Sequence, residues 1–149
     1  MTGVVLGLDV GERRIGVAKS DPSGVLASPL TTLLRVSDRD AVAAIGALAA
    51  EHGAMTLVVG VPLGPEGEVT DQARRVRALG RKLRSLPGAR VVFWDERSST
   101  QEAQESLRAG RPRRGAPSAR RREAIRREID AAAAAVILQS YLDQYDQQQ

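Results

Sequence analysis

The chain has 149 residues, of which 42% are hydrophobic and 27% charged, and it contains no cysteine. These values are typical of one globular domain spanning residues 1–149, and they exclude disulfides and cysteine-held metals. No apolar run of about 18 residues and no leader-like start occur, so we expect a cytoplasmic protein with no membrane partner.

The net charge of +4 is concentrated in one segment. Residues 108–127 hold nine arginines and one acidic residue, a balance of +8, which leaves −4 for the remainder. Guanidinium groups bind phosphates bidentately, so this clustering favours a nucleic-acid partner. The alternative is a solvated loop in an arginine-rich composition, which would explain arginine over lysine but not the clustering.

Apolar periodicity and turn residues predict the elements of the chain. The run from Val4 to Leu8 predicts a buried strand that ends at Asp9, and Gly11 permits a turn into a return strand. Ser37 and Thr70 are suitable helix N-caps. In chain order, the predicted elements are strands 4–8, 15–20 and 25–34, helix 37–53, strand 55–61, helix 70–86, strand 91–94, a short helix 99–109 and a final helix 119–142. A mobile basic loop is predicted at about 108–120 and a frayed tail at about 144–149.

This order, β-β-β-α-β-α-β-α, predicts an α/β fold with a mixed five-stranded sheet flanked by helices. Ligands of such sheets bind at the carboxyl ends of the parallel strands. Asp9 ends the first strand, and Asp95 and Glu96 end the fifth. The alanine run 131–135 would let the final helix approach the sheet closely and bring Asp130 to the same end.

Carboxylates that come together repel one another unless a divalent cation lies between them. Asp9, Asp95, Glu96 and Asp130 therefore predict a site for Mg²⁺ or Mn²⁺, suited to phosphodiester hydrolysis. Each acid also has a simpler explanation. Asp9 could cap its turn, the acids at 95–96 could pair with Arg97, and Asp130 could pair with Arg126 or Arg127.

Four ordered segments carry a family resemblance: GLDVGERRIGVA (7–18), VVGVPLGPEG (58–67), WDERSSTQEA (94–103) and DAAAAAVILQSYLD (130–143). They resemble the motifs of the YqgF family, described as Holliday junction resolvases and as pre-16S ribosomal RNA nucleases. The resemblance implies a ribonuclease H-like fold and a divalent-metal nuclease with Asp9, Glu96 and Asp130 as catalytic acids. The loop Gly64-Pro65-Glu66-Gly67 departs from the family's usual Asn-Met-Asp-Gly.

The resulting hypothesis is a nuclease acting on structured RNA, precursor 16S rRNA or branched DNA. The first reading is 5′-end processing of precursor 16S rRNA, and the second is a Holliday junction resolvase, which would need a homodimer to place two sites on one junction. A non-catalytic RNA- or ribosome-binding module and a nucleotide phosphotransferase are the alternatives. The candidate nucleic-acid-binding residues are Arg13, Arg14, Arg97, Arg111, Arg113, Arg114, Arg120 and Arg121.

Overall fold

The computed structural model describes residues 3–95 and 118–147, apart from the side chains of residues 146 and 147. The elements described there are β1 (Val5–Val10), β2 (Arg14–Ser20), β3 (Ala27–Leu34), α1 (Asp38–His52), β4 (Thr56–Val61), α2 (Asp71–Leu83), β5 (Arg90–Asp95) and α3 (Ala119–Gln147). The expected helix 99–109 and most of the expected basic loop lie outside the described residues. No helix in the described part is long and apolar enough to cross a membrane.

The five strands form one mixed sheet in the order β3-β2-β1-β4-β5. The pairs β1–β2 and β2–β3 are antiparallel, whereas β1–β4 and β4–β5 are parallel. The carboxyl ends of β1, β4 and β5 therefore meet at one edge, together with the amino end of β2. The predicted α/β architecture is confirmed.

Helix ends follow the predicted capping residues. Ser37 accepts the N–H of Asp40 at the start of α1, and Thr70 accepts the N–H of Ala73 at the start of α2. Gly53 ends α1 in the left-handed conformation, with φ 66°.

The third strand begins two residues later than expected. The carboxylate of Asp21 accepts the N–H groups of Val25 and Leu26, at 2.8 and 2.9 Å, and its other oxygen accepts the hydroxyl of Ser23. These bonds hold residues 21–26 in a turn, so β3 starts at Ala27. Hydrogen bonding by the Asp21 side chain therefore favours a turn over residues 21–26, although the apolar Val25 and Leu26 had predicted a strand there.

The two faces of the sheet are covered differently. Helices α1 and α2 pack on one face over alternate residues of β1, β2 and β4, including Leu6, Leu8 and Ile15. Of the described elements, α3 covers the other face, and it approaches β1 closely. A Cβ added to Gly7 would lie 2.7 Å from the Cβ of Leu138. The missing side chain of Gly7 allows this close approach, and Ala134 of the alanine run lies there too, with its carbonyl oxygen 3.1 Å from the same Cβ position.

The buried stripe and the length of α3 differ from the expectation. Its apolar spacing predicts that Ile125, Ile129, Ala132, Val136 and Ile137 face the core. Ile137 is fully buried, the other four are half-buried, and Ala133, Ala134 and Leu138 are fully buried instead. The helix thus turns both the small Ala133 and Ala134 and the larger Ile137 and Leu138 toward the sheet. The helix continues to Gln147, beyond the expected end at 142, and Tyr145 stacks on Tyr141 one turn earlier, with ring centroids 5.9 Å apart.

Candidate active site

Asp9 lies at the carboxyl end of β1, on the face of the sheet that α3 covers. It pairs with Gly16 across the antiparallel ladder, and its side chain is half-buried. Two residues earlier on the same face, Gly7 contacts Leu138 of α3. The hairpin after Asp9 is closed by the main chain, since the N–H of Gly11 donates to the carbonyl of Arg14 at 2.9 Å.

Asp130 lies on α3 directly above Gly16. A Cβ at position 16 would overlap the backbone carbonyl oxygen of Asp130, so no other residue fits there without moving the helix. Gly16 is thus adjacent to both acids: Asp9 is its partner in the sheet, and Asp130 is its neighbour in the helix above. Two carboxylates separated by 121 positions in the chain are brought to one end of one face.

The side chain of Asp130 is held by Arg14. The Nε of Arg14 donates to Oδ2 of Asp130 at 2.6 Å, and the two side chains are 22% and 24% exposed. The arginines considered as partners from sequence, Arg126 and Arg127, instead pair with Glu123, at 4.0 and 3.6 Å. Arg14 was expected to bind nucleic acid. In the structure its guanidinium instead donates to one carboxylate oxygen of Asp130.

Asp95 lies on the opposite face from the other two described acids. In β5, Phe93 packs with the core under α1 and α2, whereas Trp94 packs with α3. Because side chains alternate along a strand, position 95 belongs to the α1–α2 face, and Asp95 is exposed there. The sequence left open which of Asp95 and Glu96 faces Asp9 and Asp130, and strand alternation puts Asp95 on the other face of the sheet. Residues 91–94 are all apolar, so the sequence alone could not have assigned these faces. Glu96, the next residue, lies outside the described residues.

Within residues 3–95 and 118–147, no group of three Asp, Glu or His side chains could hold a metal ion together. The described part supplies two hard oxygen donors on one face, Asp9 and Asp130. Carboxylate oxygens are the ligands that Mg²⁺ and Mn²⁺ prefer. The donor chemistry therefore fits such a cation, provided that one further ligand comes from elsewhere in the chain.

Arg35 positions the hairpin that carries Asp9 and Arg14. Its side chain donates to the carbonyl of Gly11 at 3.0 Å and its main-chain N–H donates to the carbonyl of Arg13 at 2.8 Å. The same guanidinium donates to Asp38, which also accepts from Lys82, both at 3.0 Å. These two cations lower the pKa of Asp38 from its usual value, and the hydrogen bond from Lys82 has the larger effect.

The sequence analysis did not identify Arg35. In the sequence it is simply an arginine between a predicted strand and the helix N-cap Ser37.

The arginines expected to bind nucleic acid divide into three groups, one of which is Arg14 alone, half-buried and paired with Asp130. Arg13, Arg120 and Arg121 are exposed, the last two in the first turn of α3. That turn contains Arg122 as well and no acidic residue. Three cations at the positive end of a helix dipole are locally unfavourable, which is consistent with an anionic partner there. The others of the predicted set that lie outside the described residues are Arg97, Arg111, Arg113 and Arg114.

Comparison with known proteins shows a family match over nearly the whole chain. The family model described as "RuvX: Holliday junction resolvase" matches residues 3–144. A protein of Syntrophus aciditrophicus named "Putative pre-16S rRNA nuclease" is 40% identical over 97% of this chain and 91% of its own length. A protein of the same name from Moorella thermoacetica is 43% identical over 96% of both chains.

Solved structures are similar in fold. The structure of Thermus thermophilus RuvC matches with a TM-score of 0.52 and 14% identity, covering 97% of this chain and 96% of that one. RuvC from the same organism in complex with a Holliday junction substrate matches with a TM-score of 0.50 and 16% identity, over 94% and 93% of the two chains. At this identity the likeness concerns the fold, which is the ribonuclease H-like fold expected from the motifs.

Proposed function

Because this chain belongs to the RuvX family, the YqgF family that its four motifs indicated, we propose that it processes the 5′ end of precursor 16S rRNA. It is a nuclease, a hydrolase of phosphodiester bonds. Its relatives that bear the pre-16S rRNA name share 40–43% of its residues over nearly its full length. The structural observation that carries the proposal is the placement of Asp9 and Asp130 around Gly16. We further propose that residues 1–149 form one domain, located in the cytoplasm.

The proposed cation ligands are Asp9, Glu96 and Asp130, with Mg²⁺ or Mn²⁺ as the ion. Glu96 is preferred over Asp95 because strand alternation puts Asp95 on the other face of the sheet. When bound, a divalent ion activates water and stabilises the leaving oxygen in phosphodiester hydrolysis. Asp9 lies at the carboxyl end of β1, where ligands of such sheets bind, and Asp130 lies on α3 above the neighbouring residue Gly16.

The chain's own cations would hold the substrate. Arg13 lies on the hairpin beside Asp9, and Arg120 and Arg121 begin the helix that carries Asp130. All three are exposed, so they can reach phosphates of a nucleic acid that passes over the acids. Arg97, Arg111, Arg113 and Arg114 would extend this basic surface. Such contacts orient the substrate without selecting its sequence.

Cleavage of end-labelled substrates tests the proposal. Wild-type protein, Asp9→Asn and Asp130→Asn are incubated in Mn²⁺ with a precursor 16S rRNA fragment and with a Holliday junction. We expect the wild type to cut the precursor and both site variants to leave it intact. Asp143→Asn is the matched control, because this exposed acid lies on the same helix toward its other end. Failure of the wild type to cut either substrate, or cutting by Asp9→Asn at the wild-type rate, would overturn the proposal.

Holliday junction resolution is the second candidate, favoured by the description of the matching family model. Symmetric cleavage of a four-way junction needs two sites that face each other, so this function would require a homodimer. Paired cuts in the junction with an intact precursor RNA would support it over the first candidate. Salt-sensitive RNA binding without cleavage by any form would instead indicate a non-catalytic RNA- or ribosome-binding module.

A further inference from the structure

The contact between Arg14 and Asp130 joins β2 to α3 at the proposed active site. Its Nε–Oδ2 distance of 2.6 Å is that of a charge-assisted hydrogen bond, and the two residues are 116 positions apart in the chain. Arg14 is the first residue of β2 and lies on the same face as Gly16, the face that α3 covers. The guanidinium of Arg14 therefore extends from the sheet to Asp130, a proposed cation ligand on the helix that covers it.

A divalent cation and this guanidinium would compete for the same carboxylate. Oδ2 of Asp130 already accepts from Arg14, and the site would gain a doubly positive ion within a few ångströms of a fixed positive charge. Both Arg14 and Asp130 are about three-quarters shielded from water, so solvent screens this repulsion only in part.

We propose that Arg14 is the internal counter-ion of Asp130 and that it sets the affinity of the site for its divalent cation. The inference rests on the proposed function, because it assumes that Asp130 is a cation ligand. Before cation binding, Arg14 neutralises Asp130 and relieves its repulsion with Asp9. A cation held by Oδ2 would take the place of Arg14 there, and the guanidinium would then be available to a substrate phosphate. Arg14 would thus serve both partners in turn.

A purely structural role for the same contact predicts the opposite change in affinity. If Arg14 only holds Asp130 in the ligating geometry, its removal would loosen the ligand and weaken cation binding. If Arg14 competes with the cation, its removal would strengthen binding, by about tenfold, or roughly 1.4 kcal/mol. The sign of the effect therefore separates the two roles.

The test is a Mn²⁺ titration of the full chain by calorimetry, without nucleic acid. Arg14→Gln removes the charge, Arg14→Lys keeps it, and Arg90→Gln is the matched control, an exposed arginine at the other end of the sheet. We expect Arg14→Gln to bind about tenfold more tightly than the wild type, and Arg14→Lys and Arg90→Gln to bind as the wild type does. In the Asp130→Asn background, the gain from Arg14→Gln should disappear, because the competed carboxylate is gone.

Thermal unfolding gives a second readout that does not depend on cleavage. Arg14→Gln should melt at a lower temperature than the wild type in a chelator and show a larger rise in Tm on Mn²⁺ addition.

Equal or weaker Mn²⁺ binding by Arg14→Gln, with the wild type binding normally, would overturn the proposed competition and leave the proposed function intact. A wild type that binds no Mn²⁺, or that binds it equally well as Asp130→Asn, would overturn the proposed cation site and this inference together.

Discussion

Gly16 and Asp130 are in direct contact, the glycine in β2, between β1 and β3, and the aspartate in the long helix above it. No Cβ fits at position 16 without overlapping the carbonyl of Asp130. Asp9 lies beside the same glycine in the next strand. The geometry of the proposed active site therefore depends on the missing side chain of Gly16, which lets α3 approach the sheet this closely.

We expect Gly16→Ala to destabilise the protein and reduce cleavage together. The methyl group would push α3 from the sheet, which costs about 1–3 kcal/mol of unfolding free energy, as overpacking usually does. Urea unfolding at pH 7 measures this loss. Gly46→Ala is the control, since its Cβ would meet only the flexible end of Leu86 and alanine favours the helix. Equal stability of the two variants would contradict the close contact.

Neighbouring acids at the end of β5 should differ in their importance. We expect Glu96→Gln to lose at least about a hundredfold in cleavage rate, because cation ligands supply several kcal/mol of transition-state stabilisation. Asp95→Asn should keep most of its rate, because position 95 lies on the α1–α2 face. Single-turnover cleavage of the precursor RNA compares them. The reverse ranking would refute the face assignment.

The network around Asp38 should make stability depend on pH. Lys82 and Arg35 lower the pKa of Asp38 below 3.8, so the carboxylate adds stability that is present above pH 3.8 and is lost as the pH falls through the lowered value. Lys82 is 58% exposed, so we expect only about 1 kcal/mol. Urea unfolding should show Asp38→Asn less stable than the wild type at pH 7, with a smaller difference at pH 3. A difference that does not change between these pH values would contradict the assignment.

The first turn of α3 should contribute to binding through charge. Replacing Arg120 and Arg121 with Gln should lower the affinity for single-stranded RNA and reduce the slope of log K against log salt by about 1.4, or about 0.7 per lost phosphate contact. Fluorescence anisotropy with Asp9→Asn protein measures binding without cleavage. The double variant Arg81→Gln/Arg90→Gln removes the same charge from exposed positions elsewhere. An equal loss of slope in both pairs would indicate a general charge effect.

Local patterns predicted most of the fold because most elements obey them. Ser37 and Thr70 cap the helices as expected, and the element order gives the mixed sheet. The start of β3 was missed because the Asp21 side chain bonds to two main-chain N–H groups that the strand would have used. Such competition depends on conformation and leaves no periodic signal.

The candidate site could be predicted only in part. Strand ends and the alanine run indicated where Asp9 and Asp130 would lie, and the contact at Gly16 agrees. The partner of Asp130 could not be found from helix spacing, since Arg14 is distant in sequence and reaches it only through the fold. The clamp of Arg35 on Gly11 was missed for the same reason.

The most direct test of the central claim is an anomalous scattering map of a crystal soaked in Mn²⁺. If Asp9 and Asp130 share a catalytic cation, the map will show a Mn²⁺ peak within about 2.3 Å of an oxygen of each carboxylate. A map with no peak between these two side chains, in crystals that bind Mn²⁺ elsewhere, would contradict the account.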